Sequence, residues 1–269
     1  MMRDGDGGER PGFVELDVVR HRAGASGADR DRVAEETPVA LVFNGISHAV
    51  MMATPRDLEP LAVGFALTEG IVARRAEIFD VEAEFVRGGA EVRLEIAEPA
   101  FLALKDRRRS LAGRSGCGVC GLESLDLLDL RPERMASPAR PADAAAIARA
   151  AGELPRHQAL TQATGGAHAA AWCAPDGAVL AVFEDVGRHN ALDKLIGRLA
   201  LDGADFAGGF VFLSSRASYE LARKAARMGI PLLATISAPT TLAVDIARQA
   251  GLTLASFCRQ DGFVEYTAD

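Results

Sequence analysis

The sequence predicts an α/β protein, with a mainly parallel sheet covered by helices in its second half and a smaller α+β unit in its first third. Three observations predict it. From Ala167 onward, short apolar runs alternate with helix-length segments, as in parallel sheets with right-handed crossover helices. In the first third, apolar and polar residues alternate around turn dipeptides, which is typical of hairpins. The Pro-rich stretch Arg131–Ala142 separates these parts as a linker.

The first third contains five predicted strands. Residues of Gly12–Val19 alternate between apolar and polar, which predicts a half-exposed strand. Pro38–Phe43 is a short apolar run, and His48–Ala53 follows it after the turn Asn44-Gly45, which predicts a hairpin. The two remaining strands, joined by Gly88-Gly89, are Glu77–Val86 and Glu91–Ile96.

One long helix is predicted in this unit. Thr54 has the chemistry of an N-cap, and Pro55 suits the first helical position. The helix is expected to run from Leu58 to about Glu69 and to stop at Gly70. A second, short helix is predicted over Pro99–Lys105.

The second half alternates strands and helices. The predicted strands are Ala169–Cys173, Val179–Phe183, Phe210–Ser214, Pro231–Ser237 and Leu252–Cys258. The predicted helices are Asp143–Ala151, Asn190–Leu199, Ala217–Met228 and Thr240–Ala250. We therefore predict a disordered tail (1–12), a small α+β domain (13–110), a mobile Gly-rich cysteine loop with linker (111–142) and an α/β domain (143–269).

Charge and composition exclude several function classes. The 269 residues carry a formal net charge of −7, whereas nucleic-acid and membrane-surface binding need a positive field. No apolar run approaches the roughly 20 residues of a membrane span, and residues 1–12 lack the apolar core of a secretory signal. With four cysteines and no export signal, no disulfide framework is expected. We expect a cytoplasmic protein with neither nucleic-acid nor membrane partners.

The loops that follow the predicted strands carry a distinctive set of residues. In a parallel sheet these loops meet at one edge, where ligands bind. The hydroxyl-bearing and basic residues of these loops are Arg188, His189, Ser214, Ser215, Arg216, Ser237, Thr240 and Arg259. Helix N-termini offer free backbone N–H groups to anions, and arginines add fork-shaped donors suited to phosphates. The sequence therefore predicts a site for a phosphorylated, nucleotide-like ligand.

Each of these residues also has a plain structural interpretation. Ser214, Ser237 and Thr240 fit ordinary helix caps equally well, and only the coincidence of four such loops on one edge favours a site. His189 fits a catalytic base less well than a structural hydrogen-bonding partner.

Four neighbouring side chains are equally open. His168 fits a turn brace as well as a ligand contact. Asp185 fits a helix cap, while Asp193 and Lys194 fit surface charges. No ligand role is assigned to these four.

Cys117 and Cys120 form the most chemically suggestive pair. Four glycines surround them, at positions 113, 116, 118 and 121, so the loop is expected to be pliable and accessible. The arginines of 107–109 and Arg114 lie close in sequence, and nearby cations lower the pKa of a thiol and so favour the reactive thiolate. An accessible, activated thiol in a pliable loop suits a residue that receives sulfur and passes it on.

Three other kinds of chemistry use cysteine pairs at this spacing. A redox disulfide fits the spacing, but thioredoxin-type pairs begin a helix after a strand. Zinc needs four ligands, and the remaining Cys173, Cys258 and five histidines show no ligand spacing, although a structural zinc site stays open. A zinc nucleobase deaminase needs H-x-E and P-C-x-x-C, and Gly116 stands where that Pro belongs. Cys173 and Cys258 lie in predicted strands and fit buried small hydrophobes, with Cys258 close to the predicted edge.

Taken together, the motifs resemble the formate dehydrogenase accessory (FdhD/NarQ) family. The matching segments are the Gly-rich loop around Cys117 and Cys120, Thr164–Ala171, Glu184–Leu192, Asp193–Gly197, Ser214–Arg216, Ser237–Thr241 and Phe257–Arg259. The likeness spans nearly everything after residue 12, and the block at 184–197 is highly specific.

The resemblance implies a sulfurtransferase that works as a sulfur carrier in formate dehydrogenase maturation. Such proteins take persulfide sulfur from a cysteine desulfurase and pass it to the bis(molybdopterin guanine dinucleotide) molybdenum cofactor, a client ligand rather than a resident group. By likeness, the persulfide falls on Cys117, with Cys120 as an assisting thiol. Two other functions stay open: a cofactor- or nucleotide-binding chaperone without sulfur transfer, and a thiol–disulfide oxidoreductase.

The resemblance also implies a fold and a binding segment. The resemblance implies that this protein is a homodimer. It also implies that the larger domain is a three-layer α/β/α, cytidine-deaminase-like domain without the zinc site. By likeness, the cofactor-binding residues are Phe257, Cys258, Arg259, Gln260, Asp261 and Gly262. Asp261 departs from what a phosphate region favours, so individual contacts in this segment stay open.

Overall fold

The computed structural model describes residues 10–110, 132, 134–136 and 139–268, without the side chains of residues 107–110. Its strands are β1 (Phe13–Arg22), β2 (Ala25–Ala34), β3 (Thr37–Phe43), β4 (Ile46–Ala53), β5 (Ile78–Val86), β6 (Gly89–Ile96), β7 (His168–Cys173), β8 (Val179–Asp185), β9 (Phe210–Leu213), β10 (Leu232–Thr235), β11 (Thr253–Arg259) and β12 (Gly262–Glu265). Its α-helices are α1 (Leu58–Thr68), α2 (Glu98–Ser110), α3 (Ala144–Glu153), α4 (Ala159–Thr164), α5 (Arg188–Leu201), α6 (Tyr219–Arg227) and α7 (Thr241–Ala250).

Strands β1 and β2 form a separate antiparallel ribbon. Strand β2 was not predicted, because its sequence lacks the alternation of a half-buried strand and nearly all of its residues are exposed. Cross-strand ion pairs take the place of apolar packing: Arg30 lies 3.1 Å from Asp17 and Arg32 lies 3.2 Å from Glu15. Of the predicted tail, Arg10–Gly12 is described, and the Gly12 carbonyl accepts the Glu35 N–H.

A four-stranded sheet with the order β4-β3-β6-β5 forms the rest of the N-terminal unit. The predicted hairpins β3–β4 and β5–β6 are confirmed, and β3 pairs with β6 in parallel. Helix α1 covers one face of this sheet, where apolar side chains such as Leu41, Phe43 and Val92 form a core with Leu61 and Phe65.

The start of α1 differs from the prediction. Asp57, in the left-handed region at φ 52°, precedes the first helical residue, and its side chain makes no capping bond. Thr54 is therefore not the N-cap. It is fully buried, and its hydroxyl and backbone bind residues of the C-terminal unit, so tertiary contacts outweigh the local capping preference.

The C-terminal unit is built on a six-stranded sheet with the order β12-β11-β10-β9-β7-β8. Strands β9, β10 and β11 are parallel to one another. Strands β7 and β12 are antiparallel to their neighbours in this group, and β8 is antiparallel to β7, so β8 runs in the same direction as β9, β10 and β11. Four of the six strands thus share one direction. Helices α5, α6 and α7 pack on one face and α3 on the other, which confirms the predicted α/β/α class. The short edge strand β12 was not predicted.

Helices α1 and α5 join the two units through a close contact between backbones. A Cβ atom on Gly64 would lie 1.8 Å from the Asp193 carbonyl oxygen, and one on Gly197 would lie 1.8 Å from the Pro60 carbonyl oxygen. Only glycine fits at these two positions, so the helices approach backbone to backbone.

Two remaining predictions concern the middle of the chain and membrane spans. Cys117, Cys120 and most of the predicted loop and linker lie outside the described residues. Within the described part, no helix combines the length and apolar character needed to cross a bilayer.

Candidate functional site

The loops after β8, β9, β10 and β11 meet in one continuous rim. The Ser237 N–H donates to the Ser215 carbonyl at 3.4 Å, and the Phe257 N–H donates to the Ser237 carbonyl at 3.4 Å. At the other end, His189 lies 2.7 Å from Glu220 and 3.4 Å from the Ser218 hydroxyl, which links the starts of α5 and α6. The structure therefore brings the predicted loops together at the carboxyl edge of the sheet.

Helices α5, α6 and α7 all begin at this rim. Their N-caps are Gly187, Ser218 and Thr240, and of these only Thr240 uses its side chain, which accepts the Ala243 N–H at 3.3 Å. Thr240 therefore matches the plain capping interpretation. Most backbone donors at the starts of α5 and α6 have no side-chain cap, which is the arrangement that favours anions.

The three predicted serines differ in what they contact. Ser214 does not cap a helix, because its hydroxyl accepts the Ala169 N–H at 2.8 Å and ties β9 to β7. Ser215 is buried and donates to the Arg216 carbonyl at 3.1 Å. Ser237 is half-buried in the rim. Ser214 and Ser215 thus shape the rim, and their hydroxyls are already engaged.

The three predicted arginines differ in how many of their guanidinium N–H groups have an acceptor in the described part of the chain. Arg216 is exposed and has no partner among the described residues. Arg259 donates to the carbonyls of Ile236 and Cys258, so its position is fixed. Arg188 is half-buried, and its Nε atom finds no acceptor in the described part of the chain. Arg216 and Arg188 therefore keep donors for a ligand.

His189 lies 2.7 Å from the carboxylate of Glu220, a residue that sequence reasoning missed. Burial acts to raise the pKa of Glu220, but the hydrogen bond and charge of His189 outweigh burial and lower the pKa. The nearby His168 is different: burial, followed by the charges of Arg188 and His189, lowers its pKa. His168 is therefore a neutral imidazole at neutral pH, whereas His189 is held by a carboxylate.

Behind the rim, Asp185 and Lys194 form a fully buried ion pair with N–O distance 2.7 Å. Asp185 also accepts the Gly187 N–H at 2.8 Å and the Thr54 N–H at 3.0 Å, and Lys194 donates to the Thr54 carbonyl at 3.0 Å. Asp185 thus holds the turn before α5 from the end of β8, but it is not the helix cap, because the N-cap of α5 is Gly187. The interpretation of Lys194 as a surface charge is wrong.

Asp193 is buried as well, so the surface-charge interpretation fails there too. Its carboxylate lies 2.8 Å from Lys224 and accepts the Thr68 hydroxyl at 2.8 Å. Glu69 lies 2.9 Å from Lys224 on the N-terminal side. Burial acts to lower the pKa of Lys224, but the carboxylates of Asp193 and Glu69 raise it, so the ammonium stays charged.

The sequence contained a signal for these buried charges. Asp193 and Lys194 lie directly between Leu192 and the pair Leu195–Ile196, so on α5 these two charges fall within an apolar run. Lys224 lies on the apolar stripe of α6, one turn after Leu221. Thr54, Glu69 and Glu220 gave no comparable signal, because their roles depend on contacts between distant segments.

The end of β11 lines an open cleft of about 630 Å³. Its lining residues are Ala151, Pro155, Ile236, Cys258, Arg259, Gln260 and Asp261. Four residues of the predicted binding segment therefore border one cleft. The first residue of that segment, Phe257, is 46% exposed and adopts φ 55°, at a bulge between Ser256 and Arg259. The left-handed region is costly for an aromatic residue, and such strain concentrates at functional sites. Gly262, the last of the segment, begins β12.

The two described cysteines are unsuited to thiol chemistry. Cys173 and Cys258 are both fully buried. Burial raises the pKa of Cys173 to about 12 and that of Cys258 to about 11. Neither forms an appreciable amount of thiolate at neutral pH. In the described residues, no group of three or more His, Cys, Asp or Glu side chains is arranged to hold a metal ion.

Comparison with known proteins decides the family. The family model described as "FdhD/NarQ family" matches residues 34–269. The chain belongs to this family. Among curated FdhD/NarQ relatives, the "Sulfur carrier protein FdhD" of Chromobacterium violaceum is 77% identical over 269 residues, which covers 99% of each chain. The protein of the same name from Burkholderia mallei is 62% identical over 264 residues and covers 96% of each chain.

A solved structure supports the fold. It belongs to a protein of Desulfotalea psychrophila provisionally named a formate dehydrogenase accessory protein, with a TM-score of 0.73 and 23% identity. The match covers 96% of this chain and 98% of the other. At this identity the likeness concerns the fold alone, and it agrees with the two-unit architecture described above.

Proposed function

We propose that this protein is a sulfur carrier in formate dehydrogenase maturation. It takes sulfur from a cysteine desulfurase as a persulfide and delivers it to the bis(molybdopterin guanine dinucleotide) molybdenum cofactor before that cofactor enters the enzyme. The observation that carries the proposal is the full-length similarity to a relative named as a sulfur carrier.

The cysteine inventory supports Cys117 and Cys120 as the working thiols. Of the four cysteines of the chain, Cys173 and Cys258 are buried with strongly raised pKa values. Sulfur chemistry needs an accessible thiolate. That requirement leaves Cys117 and Cys120, and by likeness to the family we propose Cys117 as the persulfide carrier and Cys120 as the assisting thiol.

The proposed transfer has two balanced steps. In loading, the Cys117 thiolate attacks the outer sulfur of the desulfurase persulfide, so the donor S–S bond breaks as a new one forms on Cys117, and the donor thiolate leaves. In delivery, the Cys120 thiolate attacks the inner sulfur of the Cys117 persulfide. Hydrosulfide leaves toward the acceptor, and a Cys117–Cys120 disulfide remains. The two thiols thus supply the electrons that convert sulfane sulfur to sulfide.

The rim supports a nucleotide-bearing ligand as the acceptor. Arg188 and Arg216 keep guanidinium donors for phosphate, and the starts of α5 and α6 add backbone N–H groups. The cleft beside Arg259 and Gln260 gives room for part of such a ligand. The bound cofactor would supply the metal that receives the sulfide, while these residues would hold its phosphates. We also propose that the protein is cytoplasmic and forms a homodimer. Light scattering of the purified protein would test the homodimer.

Replacing Cys117 tests the proposal in cells. A strain whose only copy carries Cys117→Ala is expected to lose formate dehydrogenase activity, because no persulfide forms at that position. Cys173→Ala is the matched control, since it removes a buried thiol of high pKa, and its strain is expected to keep activity. Full activity in the Cys117→Ala strain would instead favour a chaperone that binds the cofactor without transferring sulfur.

A further inference from the structure

The four-stranded sheet has an outer face that no described element covers. Helix α1 packs against the inner face, which carries Leu41, Val92 and Leu94. Strand registers place the alternate residues on the outer face. The outer face consists of these alternate residues, among them Val50, Met52, Asp80, Glu82, Arg93 and Glu95.

Exposed apolar side chains lie toward one end of this outer face and carboxylates toward the other. Val50 (58% exposed), Met52 (48% exposed) and Val86 (43% exposed) lie toward the first end. Strands β5 and β6 carry five carboxylates and a single guanidinium, Arg93. Arg93 pairs with Glu84 at 2.8 Å and with Glu91 at 2.6 Å.

Three carboxylates remain on the outer face without partners among the described residues: Asp80, Glu82 and Glu95. Asp80 and Glu95 are direct neighbours across β5 and β6. Like charges opposite each other destabilise a sheet, so this arrangement works against folding. Large apolar side chains such as Met52 are exposed toward the opposite end of the same face. Exposed apolar side chains on the same face as unpaired charges are what a docking surface presents before its partner binds.

The negative charge of the outer face indicates which kind of protein could bind there. A second copy of this chain would bring the same unpaired carboxylates into one interface, which repulsion disfavours. A partner protein with clustered lysines or arginines beside apolar side chains would neutralise Asp80, Glu82 and Glu95 and cover Val50 and Met52.

The place of the outer face in the fold points to the partner that loads sulfur. Strand β6 leads directly into α2, and α2 leads into the segment that contains Cys117 and Cys120. The rim belongs to the other unit, beyond the contact between α1 and α5. A protein docked on the outer face therefore leaves the rim free for the cofactor.

We propose that the outer face of the four-stranded sheet is the docking surface for the sulfur-donating protein, which presents a basic and apolar patch to it. This inference rests on the proposed function. It adds a recognition surface, outside the cysteine segment, that determines how fast loading occurs.

The test compares sulfur loading from a protein donor and from a small one. The variant is the double substitution Asp80→Lys and Glu95→Lys, which reverses charge but keeps two like charges opposite each other. The matched control, Glu59→Lys with Asp245→Lys, makes the same charge change at exposed positions on α1 and α7 that have no ion-pair partner among the described residues. Sulfur uptake is followed by intact-protein mass with cysteine desulfurase plus cysteine, and separately with inorganic polysulfide.

If the outer face binds the sulfur donor, the variant should be slow to load sulfur from the desulfurase but not from polysulfide. Loading of Asp80→Lys/Glu95→Lys by the desulfurase is expected to slow at least about tenfold at low ionic strength, because electrostatic steering is lost. Polysulfide loading and the control variant are expected to match wild type. Wild-type loading by the desulfurase should also slow with added salt, whereas loading of the variant should not.

Other outcomes overturn the proposal in distinguishable ways. Equal loading of wild type and variant by the desulfurase means that the outer face is not the donor surface. Loss of polysulfide loading as well means that the face acts on the chain's own cysteine segment. Normal loading with failed formate dehydrogenase activation assigns the face to the client enzyme. If wild type takes up sulfur from neither donor, the proposed function itself fails.

Discussion

Lys194 and Lys224 are ammonium groups buried where the N-terminal and C-terminal units meet. Each is matched by carboxylates: Lys194 by Asp185, and Lys224 by Asp193 and Glu69. Burying such groups has a large desolvation cost, which only complete pairing offsets. Sequence reasoning placed Asp185 and Lys194 near the ligand edge but could not show their burial, because their partner Thr54 is 131 and 140 residues away in the chain, respectively.

Removing the charge of Lys194 is expected to destabilise the protein strongly. Lys194→Met leaves Asp185 buried without its counter-ion, which costs about 3–5 kcal/mol of unfolding free energy. Arg198→Ala on the same helix breaks the exposed pair with Asp202 and is expected to cost less than about 1 kcal/mol. Urea unfolding of both variants checks this, and equal losses would show that burial of Lys194 has no special cost.

Glu69 gives the protein a pH-dependent stability. Burial acts to raise the pKa of Glu69, but Lys224 and Arg223 outweigh it and lower the pKa from 4.5 to about 2. A lowered carboxylate pKa stabilises the fold above the unfolded-state value, and that stabilisation is lost as pH falls toward 2.

We therefore expect Glu69→Gln to be less stable than wild type at pH 7, by about 3 kcal/mol for a shift of this size. The difference should shrink as pH falls from about 4.5 toward 2. Urea unfolding at stepped pH measures it, and a difference that stays constant down to pH 3 would contradict the pairing.

At the scale of elements, the hairpins, the alternating strands and helices of the second half, and the capped starts of α3 and α7 follow from local patterns. Strand β2 could not be predicted, because ion pairs with β1 rather than an apolar face stabilise it. The start of α1 was misplaced, because Thr54 binds Asp185 and Val186 instead of the helix. The packing of α1 on α5 was likewise invisible, since a helical glycine reveals a close contact only when its neighbour is known.

Gly197→Ala is expected to separate α1 from α5. Its new Cβ atom would lie 1.8 Å from the Pro60 carbonyl oxygen, so backbone must move. The expected loss of unfolding free energy is about 3 kcal/mol, the upper end of the range typical of overpacked cores. Gly208→Ala is the control, since the nearest atom to its Cβ is 3.8 Å away. Thermal unfolding compares the two, and a Gly197→Ala protein as stable as the control would refute the close contact.

At the scale of the whole molecule, the site is a consequence of topology. Four strands pointing one way bring loops from residues 185 to 262 to a single rim, and this convergence was predictable from the strand–helix alternation. The contributions of the N-terminal unit were not predictable. Thr54, Thr68 and Glu69 reach across the contact between units to the ion pairs behind the rim, and no periodicity in the sequence encodes that contact.

This contact predicts that the two units unfold together. Trp172, the single tryptophan, is buried in the six-stranded sheet and reports on the C-terminal unit alone. Far-UV circular dichroism reports on both units. The two thermal transitions are expected to coincide, as in a cooperative two-state unfolding. An earlier circular dichroism transition that leaves tryptophan fluorescence unchanged would show that the units are independent.

The central claim is that Cys117 carries sulfur. The most direct measurement is the intact mass of the purified protein after incubation with a cysteine desulfurase and cysteine. Wild type is expected to gain about 32 Da, the mass of one sulfur atom on a thiolate, and Cys117→Ala is expected to gain none. An equal gain by Cys117→Ala, or no gain by wild type, would contradict the account.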